Sequence, residues 1–449
     1  MTGPGRISRR RFLTTLAASG AVPVLGPAEA IAQDLGVDAA FYGITANSDT
    51  DQSAALQRAI DETRFSGTPL LLPPGRYLAS GLALGNGSRI VGVPGASRLV
   101  LSGSDPLVTA RGADTVSLRG LVFDGLARDM GDADGLVRLD DVARIDLRDC
   151  AIENSWSNGI ALNRCGGRVS GCRIVNARAG ALFSLDGRDL DISDNQVSDC
   201  GDNGIMVWQS AEQHDGARIS GNHVARIHNR SGGNGPYGNG ILVFRGGGVS
   251  VSGNRISDCS YSAVRVNAGT NVMVTGNQCA DIGDVALYVE FGFNGAVVAG
   301  NIVDNALEGI SVTNLNDNGH LATVSGNLIR NLRIGSPTDR RGSGIHAAGD
   351  TAVTGNVVEN AAHTGFALGY GPYLRNVVAA NNIVRNAPYG FKVSVVEGIR
   401  NTVIADNVMS GITEAAIVGM RWDEFATGDL AVRGADAYPE LTISGNRVG

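Results

Sequence analysis

"VSGNRISDCSYSAVRVNAGTNVMVTGNQ", Val251 to Gln278, says one short phrase twice: Val, then Ser or Thr, then Gly-Asn, returning after 23 residues. The anchor recurs at Asn195, Asn222, Asn254, Asn277, Asn301, Asn327, Asn356, Asn382, Asn407 and Asn446, at intervals of 27, 32, 23, 24, 26, 29, 26, 25 and 39 residues. Upstream, Cys150 and Cys172 occupy the equivalent place, 22 residues apart. Between anchors lies a second apolar phrase: "GIALN" from Gly159, "GIMVW" from Gly204, "GILVF" from Gly240, "AVRVN" from Ala263 and "ALYVE" from Ala286. It continues as "GISVT" from Gly309, "GIHAA" from Gly344, "GFALG" from Gly365 and "GFKVS" from Gly390.

Both phrases alternate apolar and variable residues over four or five positions, which is strand periodicity. No interval holds a ten-residue helical pattern, so these are not strand–helix units. Short strands joined by tight polar turns at this period predict an all-β, single-stranded right-handed parallel β-helix of roughly 10–12 coils. Successive coils would stack about 4.8 Å apart, with inward Ile, Val and Leu forming a columnar core. The Gly-Asn phrase is expected at a sharp corner. Asn tolerates the left-handed backbone there, and its amides would stack in a ladder satisfying buried polar groups.

Composition agrees with a repeat array. The chain has 449 residues, too many for one ordinary core, and its 63 glycines are about twice average usage, with aromatics only 5%. Net charge is −7, and residues 1–32 carry +3, leaving −10 on the rest. That acidity argues against nucleic acid or an anionic membrane surface as partner, and it makes a polyanionic sugar polymer an awkward ligand unless local Arg or Lys, or a bridging cation, neutralises it. The first residues read as an address: "SRRRFLT" (Ser8–Thr14), with Arg9 and Arg10 as the twin-arginine pair, precedes a weakly apolar stretch to Leu25 and a small-residue cleavage site. This predicts a signal peptide over 1–32, export by the twin-arginine translocon and a periplasmic or secreted location, with no stable membrane span. Segment 33–90, with the amphipathic face Leu56, Ala59, Ile60 and Thr63 and a start capped by Thr50 or Asp51, is expected to cap a β-helix over 91–449. The interruption Arg421–Glu440 is a candidate cover for the C-terminal end. Cys150 and Cys172 would lie within disulfide reach, with buried thiols stacked in the core as the alternative; Cys200 and Cys259 would sit two coils apart.

The opening "DAAFYG" from Asp38, the helix "DQSAALQRAI" and "LPPGRY" resemble the start of the pectate-lyase-like superfamily, and the coils resemble its right-handed parallel β-helix. With "SRRRFL" added, the chain is similar to the twin-arginine-translocated β-helix repeat proteins. The resemblance implies fold over nearly the whole chain but no single chemistry, because the superfamily spans lyases, hydrolases, epimerases and adhesins. The Asn-Thr-Asp, Gly-His-Gly and Arg-Ile-Lys motifs of polygalacturonase-like hydrolases and the Asp-Pro-His of alginate epimerases are absent.

Candidate chemistry therefore comes from the inferred register. If Ile205 and Val207 point inward, one outward column holds Ala161, Met206, Leu242, Arg265, Tyr288, Ser311, His346, Ala367 and Lys392, preceded by Arg138. Its neighbour holds Asn163, Trp208, Phe244, Asn267, Glu290, Thr313, Ala348, Gly369 and Ser394, preceded by Asp140. Trp208 and Phe244 are expected exposed, as faces for stacking sugar rings, with Asn267 and Lys392 as further substrate contacts. Polyuronate lyases and epimerases remove a proton α to a carboxylate. Arg265 would neutralise that carboxylate, Tyr288 or His346 would act as base or acid, and Glu290 would orient them or serve as the alternative acid. Loops His228–Gly240 and Ile334–Gly342, the latter with Arg340 and Arg341, could wall the groove. No metal is expected, since no histidine or cysteine pair has ligand spacing; calcium alone could suit the acidic run Asp124, Asp129, Asp132, Asp134, Asp140 and Asp141. Two classes stay open: a polysaccharide-processing enzyme, as a uronate lyase or epimerase, and a non-catalytic envelope protein that binds carbohydrate or serves as a structural repeat. A two-carboxylate hydrolase is third.

Overall fold

The computed structural model describes residues 36–233, 235–313, 318–335 and 341–449. Arg9, Arg10 and Arg340 therefore lie outside the described residues. The chain winds into a right-handed parallel β-solenoid of about 13 turns with one short helix near its start. The greater number of turns has a plain cause: "GALFSL" from Gly180 is a strand of its own, paired with Asn158–Asn163 on one side and Asn203–His214 on the other. Its second position is Ala181, where the other phrases carry Ile, Val, Leu or Phe, so the repeat pattern passes over it.

Each turn contributes one strand to each of three walls. Val264–Asn267, Thr270–Thr275 and Gln278–Ile282 form one such turn, and each pairs in parallel with its counterpart on the next. Inward side chains align in register along the axis. One column runs from Ile160 through Ile205, Ile241 and Ile310 to Phe366 and Phe391, all buried, and the last two rings stack at 4.7 Å. Burial of a full side chain at every turn, about 1.5–3 kcal/mol each, is the main cohesive term along such a column.

The asparagine ladder is continuous. From Asn195 to Asn407 each side-chain oxygen accepts from the N–H of the preceding anchor, as in Asn277 N to Asn301 Oδ1 at 2.9 Å. Its start is Cys172, whose N–H donates to Asn195 Oδ1 at 2.9 Å. The expectation that asparagine itself takes the left-handed conformation is corrected. That conformation falls on the residue before it: Gly253, Gly276, Gly300 and Gly326 all have φ near 64°, and Asp194, Asn381 and Asp406 serve where glycine is missing. The two residues divide the corner. The first turns the chain and the second points its amide inward, where only backbone and the next amide can satisfy it.

The helix Ser53–Ser66 buries Leu56, Ala59, Ile60 and Thr63 against the first strands, closing the end of the core. Its N-cap is Gln52, not Thr50 or Asp51; Asp51 instead accepts from the Ser53 N–H at 3.0 Å. At the other end, Glu424–Asp429 folds back antiparallel on Val408–Arg421 and gives that last strand a pairing partner. All six cysteines are free buried thiols. Cys150 and Cys172 are stacked on successive turns without a disulfide, and the hydrogen bond between them together with burial raises the Cys150 thiol. Cys200 and Cys259 are two turns apart, with Ile227 between them.

Candidate functional site

The site lies on the wall built from the second apolar phrase. Its outward column runs Ala161, Phe183, Met206, Leu242, Arg265, Tyr288, Ser311, His346, Ala367 and Lys392, each in register with the next. The expected alternation holds, with Phe183 added. Strand stacking thus brings Arg265 beside Tyr288 and Asn267 beside Glu290.

Arg265 does not stand free in a groove. Its Nε donates to Glu290 Oε1 at 2.6 Å, and Asn267 Nδ2 donates to the same oxygen at 3.1 Å. Arg265 and Glu290 are only 9% and 4% exposed. The chain at Gly235 packs directly on the guanidinium, leaving no room there for even a methyl group. The insertion before Gly240 is therefore a roof on the ion pair as well as a wall. Tyr288 sits 5.1 Å below the Arg265 guanidinium; burial, then the Glu290 carboxylate, raises its phenol, so the hydroxyl keeps its proton.

The aromatic pair is corrected likewise. Trp208 and Phe244 are half-buried, not exposed platforms. Trp208 packs at 5.4 Å against both Phe183 and Phe244, each ring covering part of the next. The missed turn supplies the third ring.

Further along the column the wall opens into a cleft of about 620 Å³. Its floor carries His346, Ala367 and Lys392, Arg341 closes one end, and the C-terminal hairpin supplies Trp422 and Phe425. Lys392 Nζ lies 2.8 Å from His363 Nε2. An ammonium has only donors, so Lys392 donates and the imidazole accepts. The same Nζ is 4.9 Å from the Phe425 ring and 5.4 Å from that of Tyr389. Tyr370 donates to Asp423 Oδ2 at 3.0 Å, which raises its phenol, and packs edge-on against Trp422 at 5.1 Å. Burial holds His346 down to about 4, so the ring is neutral at neutral pH; its Nδ1 is 3.8 Å from Glu308 and its Nε2 has no hydrogen-bond partner among the described residues. Arg341 pairs with Asp284, and burial, with Arg265 nearby, lowers it.

The expected residues thus fall into two groups. Arg265, Tyr288, Glu290 and Asn267 form one; His346 and Lys392 form the other. Arg265 and His346 are three turns apart in the column, about 14 Å at the strand spacing, so no single ring carbon can touch both. His363, Tyr370, Trp422 and Phe425 escaped sequence reasoning. His363 sits at a corner just before "GFALG" with no ligand spacing, and Trp422 and Phe425 reach the cleft only because the hairpin folds back. The acidic run does not converge: Asp124 meets Arg98, Asp140 meets Arg138 and Asp141 meets Arg164.

Comparison with known proteins agrees with this architecture. The profile of the family described as periplasmic copper-binding protein (NosD) matches residues 216–433, and that of the right-handed β-helix region matches 135–213. No curated protein matches the chain. Among solved structures, the N-terminal fragment of bacteriophage phi29 gene product 12 superposes with a TM-score of 0.58 at 14% identity, covering 87% of this chain and 69% of that one. A catalytic unit of a GH87 α-1,3-glucanase from Streptomyces thermodiastaticus gives 0.47 at 14% identity, covering 96% and 70%. The A-module of a mannuronan C-5 epimerase from Azotobacter vinelandii gives 0.44 at 16% identity, covering 92% and 99%. At 14% identity the likeness to the phage protein is one of fold alone. The repeat, the register and the matched profiles together identify this chain as a right-handed parallel β-helix protein.

Proposed function

We propose that this is an exported β-helix protein that binds a uronate-bearing polysaccharide along its lateral wall and processes it in the cleft as a lyase or epimerase. The observation that carries the reading is the cleft itself, where cationic and imidazole groups lie beneath aromatic rims. Trp422 and Phe425, each 48% exposed, offer faces to sugar rings. Lys392 and Arg341 would meet the uronate carboxylate and neutralise it as charge develops. Neutral His346, whose side chain is 23% exposed on the cleft floor, would accept the C5 proton. A carboxylate bound beside it favours the protonated ring and so moves its basicity upward. In a lyase the C5–H pair becomes the C4=C5 double bond, the C4–O bond breaks, and the departing oxygen takes a proton. In an epimerase a different, solvent-derived proton is delivered to C5 from the opposite face, and His346 gives up the abstracted proton to solvent. Tyr288 and Glu290, two turns from His346, and Arg265 and Asn267, three turns from it, would hold a neighbouring sugar through Tyr288 and Asn267. Export by the twin-arginine route follows from Arg9 and Arg10, and the periplasmic description of the matching profile supports that destination.

A second reading, binding without turnover, is favoured by one feature: a ring held near 4 is a weak base until substrate is bound. The copper in the matching family's description is not supported by these residues. Among the described residues no three His, Cys, Asp or Glu side chains converge, and the thiols are sealed in the core, with Cys200 and Cys279 pushed up to about 12 by burial. No step is assigned to a metal.

The test uses the full chain on a panel of uronate polymers in deuterated buffer, with and without calcium. Unsaturated product read by ultraviolet absorbance marks a lyase, and deuterium at C5 without cleavage marks an epimerase. Both signals should vanish in Lys392→Ala and His346→Ala. Binding with neither signal selects the second reading, and no binding to any polymer removes both.

A further inference from the structure

A second surface, on the wall that follows the site wall in each turn, carries a different signature. Arg89, Ser117, Asp146, Arg168, Asp191 and Arg218 stack in register on successive turns. Two depressions of about 700 and 550 Å³ open there and share Arg144, Gly167 and Asp189. Together they are lined by eight arginines and four aspartates, in a chain whose net charge is −7.

The aspartates are already committed. Asp146 serves Arg119 and Arg148, Asp191 serves Arg168 and Arg218, Asp141 serves Arg164, and Asp189 lies 3.6 Å from His214. Arg89, Arg144 and Arg188 have no ion pair among the described residues, and all three are exposed. Arg89 and Arg144 are two turns apart, as are Arg144 and Arg188, which places them at intervals of about 10 Å along the axis. Between Arg144 and Arg188 the floor is Gly166–Gly167, which contributes no side chain. Folding leaves excess positive charge in a concave, rigid, axially periodic track, and nothing in the fold requires it.

From this we infer that the track is a second binding site, for an extended acidic glycan lying parallel to the solenoid axis, with a carboxylate of every second sugar paired to Arg89, Arg144 and Arg188. An extended polyuronate turns alternate residues to the same side, which matches a two-turn spacing. A flat anionic bilayer fits less well, because the arginines line concave depressions that a single extended chain can follow and a planar surface cannot enter. The inference extends the acidic-glycan reading above. It needs the polymer class but not turnover: the track would anchor the chain while the cleft acts on it.

The test measures binding of the full protein to immobilised polygalacturonate at stepped sodium chloride, with neutral dextran and phosphatidylglycerol vesicles as comparison probes. Arg89→Ser/Arg144→Ser/Arg188→Ser should weaken polygalacturonate binding about tenfold or more and flatten its salt dependence, the combined loss of three exposed charge contacts. The corresponding triple lysine variant should keep most of the affinity. His346→Ala, which removes no charge at neutral pH, should abolish product while leaving the salt-dependent binding in place, which separates failure of the track from failure of the cleft. Wild-type affinity in the serine triple, with an unaltered far-ultraviolet spectrum, overturns the inference. So does a triple that loses vesicle binding while keeping polymer binding. If the triple perturbs folding, Arg144→Ser alone should lower affinity two- to threefold, about the effect of one exposed ion pair, and no change there is equally decisive.

Discussion

Replacing Asn301 by alanine tests whether the asparagine column is a stabilising device or a by-product of the repeat. Asn301 is fully buried. Its Oδ1 accepts from Asn277 N at 2.9 Å and Asn277 Nδ2 at 3.0 Å, while its Nδ2 donates to Val274 O at 2.9 Å and Asn327 Oδ1 at 3.0 Å. Alanine removes all four bonds and leaves the Asn277 N–H buried without its acceptor. One orphaned buried donor costs about 1–3 kcal/mol and the remaining lost bonds about 1 kcal/mol together, for a total of about 3 kcal/mol. Asn446, half-buried at the end of the column, loses its bonds where water can replace them, so Asn446→Ala should cost about 1 kcal/mol. Because turns communicate only with their neighbours, the damage should be local. Hydrogen exchange should accelerate at the Asn277 and Asn254 amides and leave the amides near Leu118 unchanged, while urea unfolding reports the total. Equal destabilisation by the two variants, or no local exchange change in Asn301→Ala, refutes the ladder argument.

Three further outcomes follow from the same geometry. His346 has a folded value near 4 against 6.5 unfolded, so its contribution is full above about pH 6.5 and is lost as pH falls toward 4, since only the unfolded chain takes up the proton in that window. Up to about 3 kcal/mol of pH-dependent stability should therefore disappear in His346→Gln, read from urea midpoints at pH 7 and pH 4.5. Gly235→Leu cannot fit over the Arg265 guanidinium and should lift the insertion from the ion pair; faster proteolysis within 228–240, with the rest of the chain intact, is the measurement. The six thiols should resist iodoacetamide in the native protein and all react in denaturant, and reaction of Cys150 or Cys172 under native conditions would contradict their burial.

Much of the wall was legible from the chain alone because strand register has a period of two and the core face fixes it. Arg265, Tyr288 and Ser311 align as the alternation requires, and so do His346 and Lys392. What the alternation could not convey is occupancy of the space above the wall. Trp208 is covered by its neighbours, and Arg265 is claimed by Glu290 and roofed at Gly235, because a one-dimensional pattern assigns a face but not what packs over it.

By itself the sequence determined that this chain stacks turn upon turn: Gly-Asn at each corner and alternating apolar residues between corners leave no other way to bury both. Only the tertiary structure decided which outward residues become a site. His363 and Lys392 meet across 29 positions of sequence, and the hairpin carries Trp422 and Phe425 back over Lys392. Those contacts depend on where a turn ends and which way the next segment folds. That outcome is set by long-range packing, which no local spacing encodes.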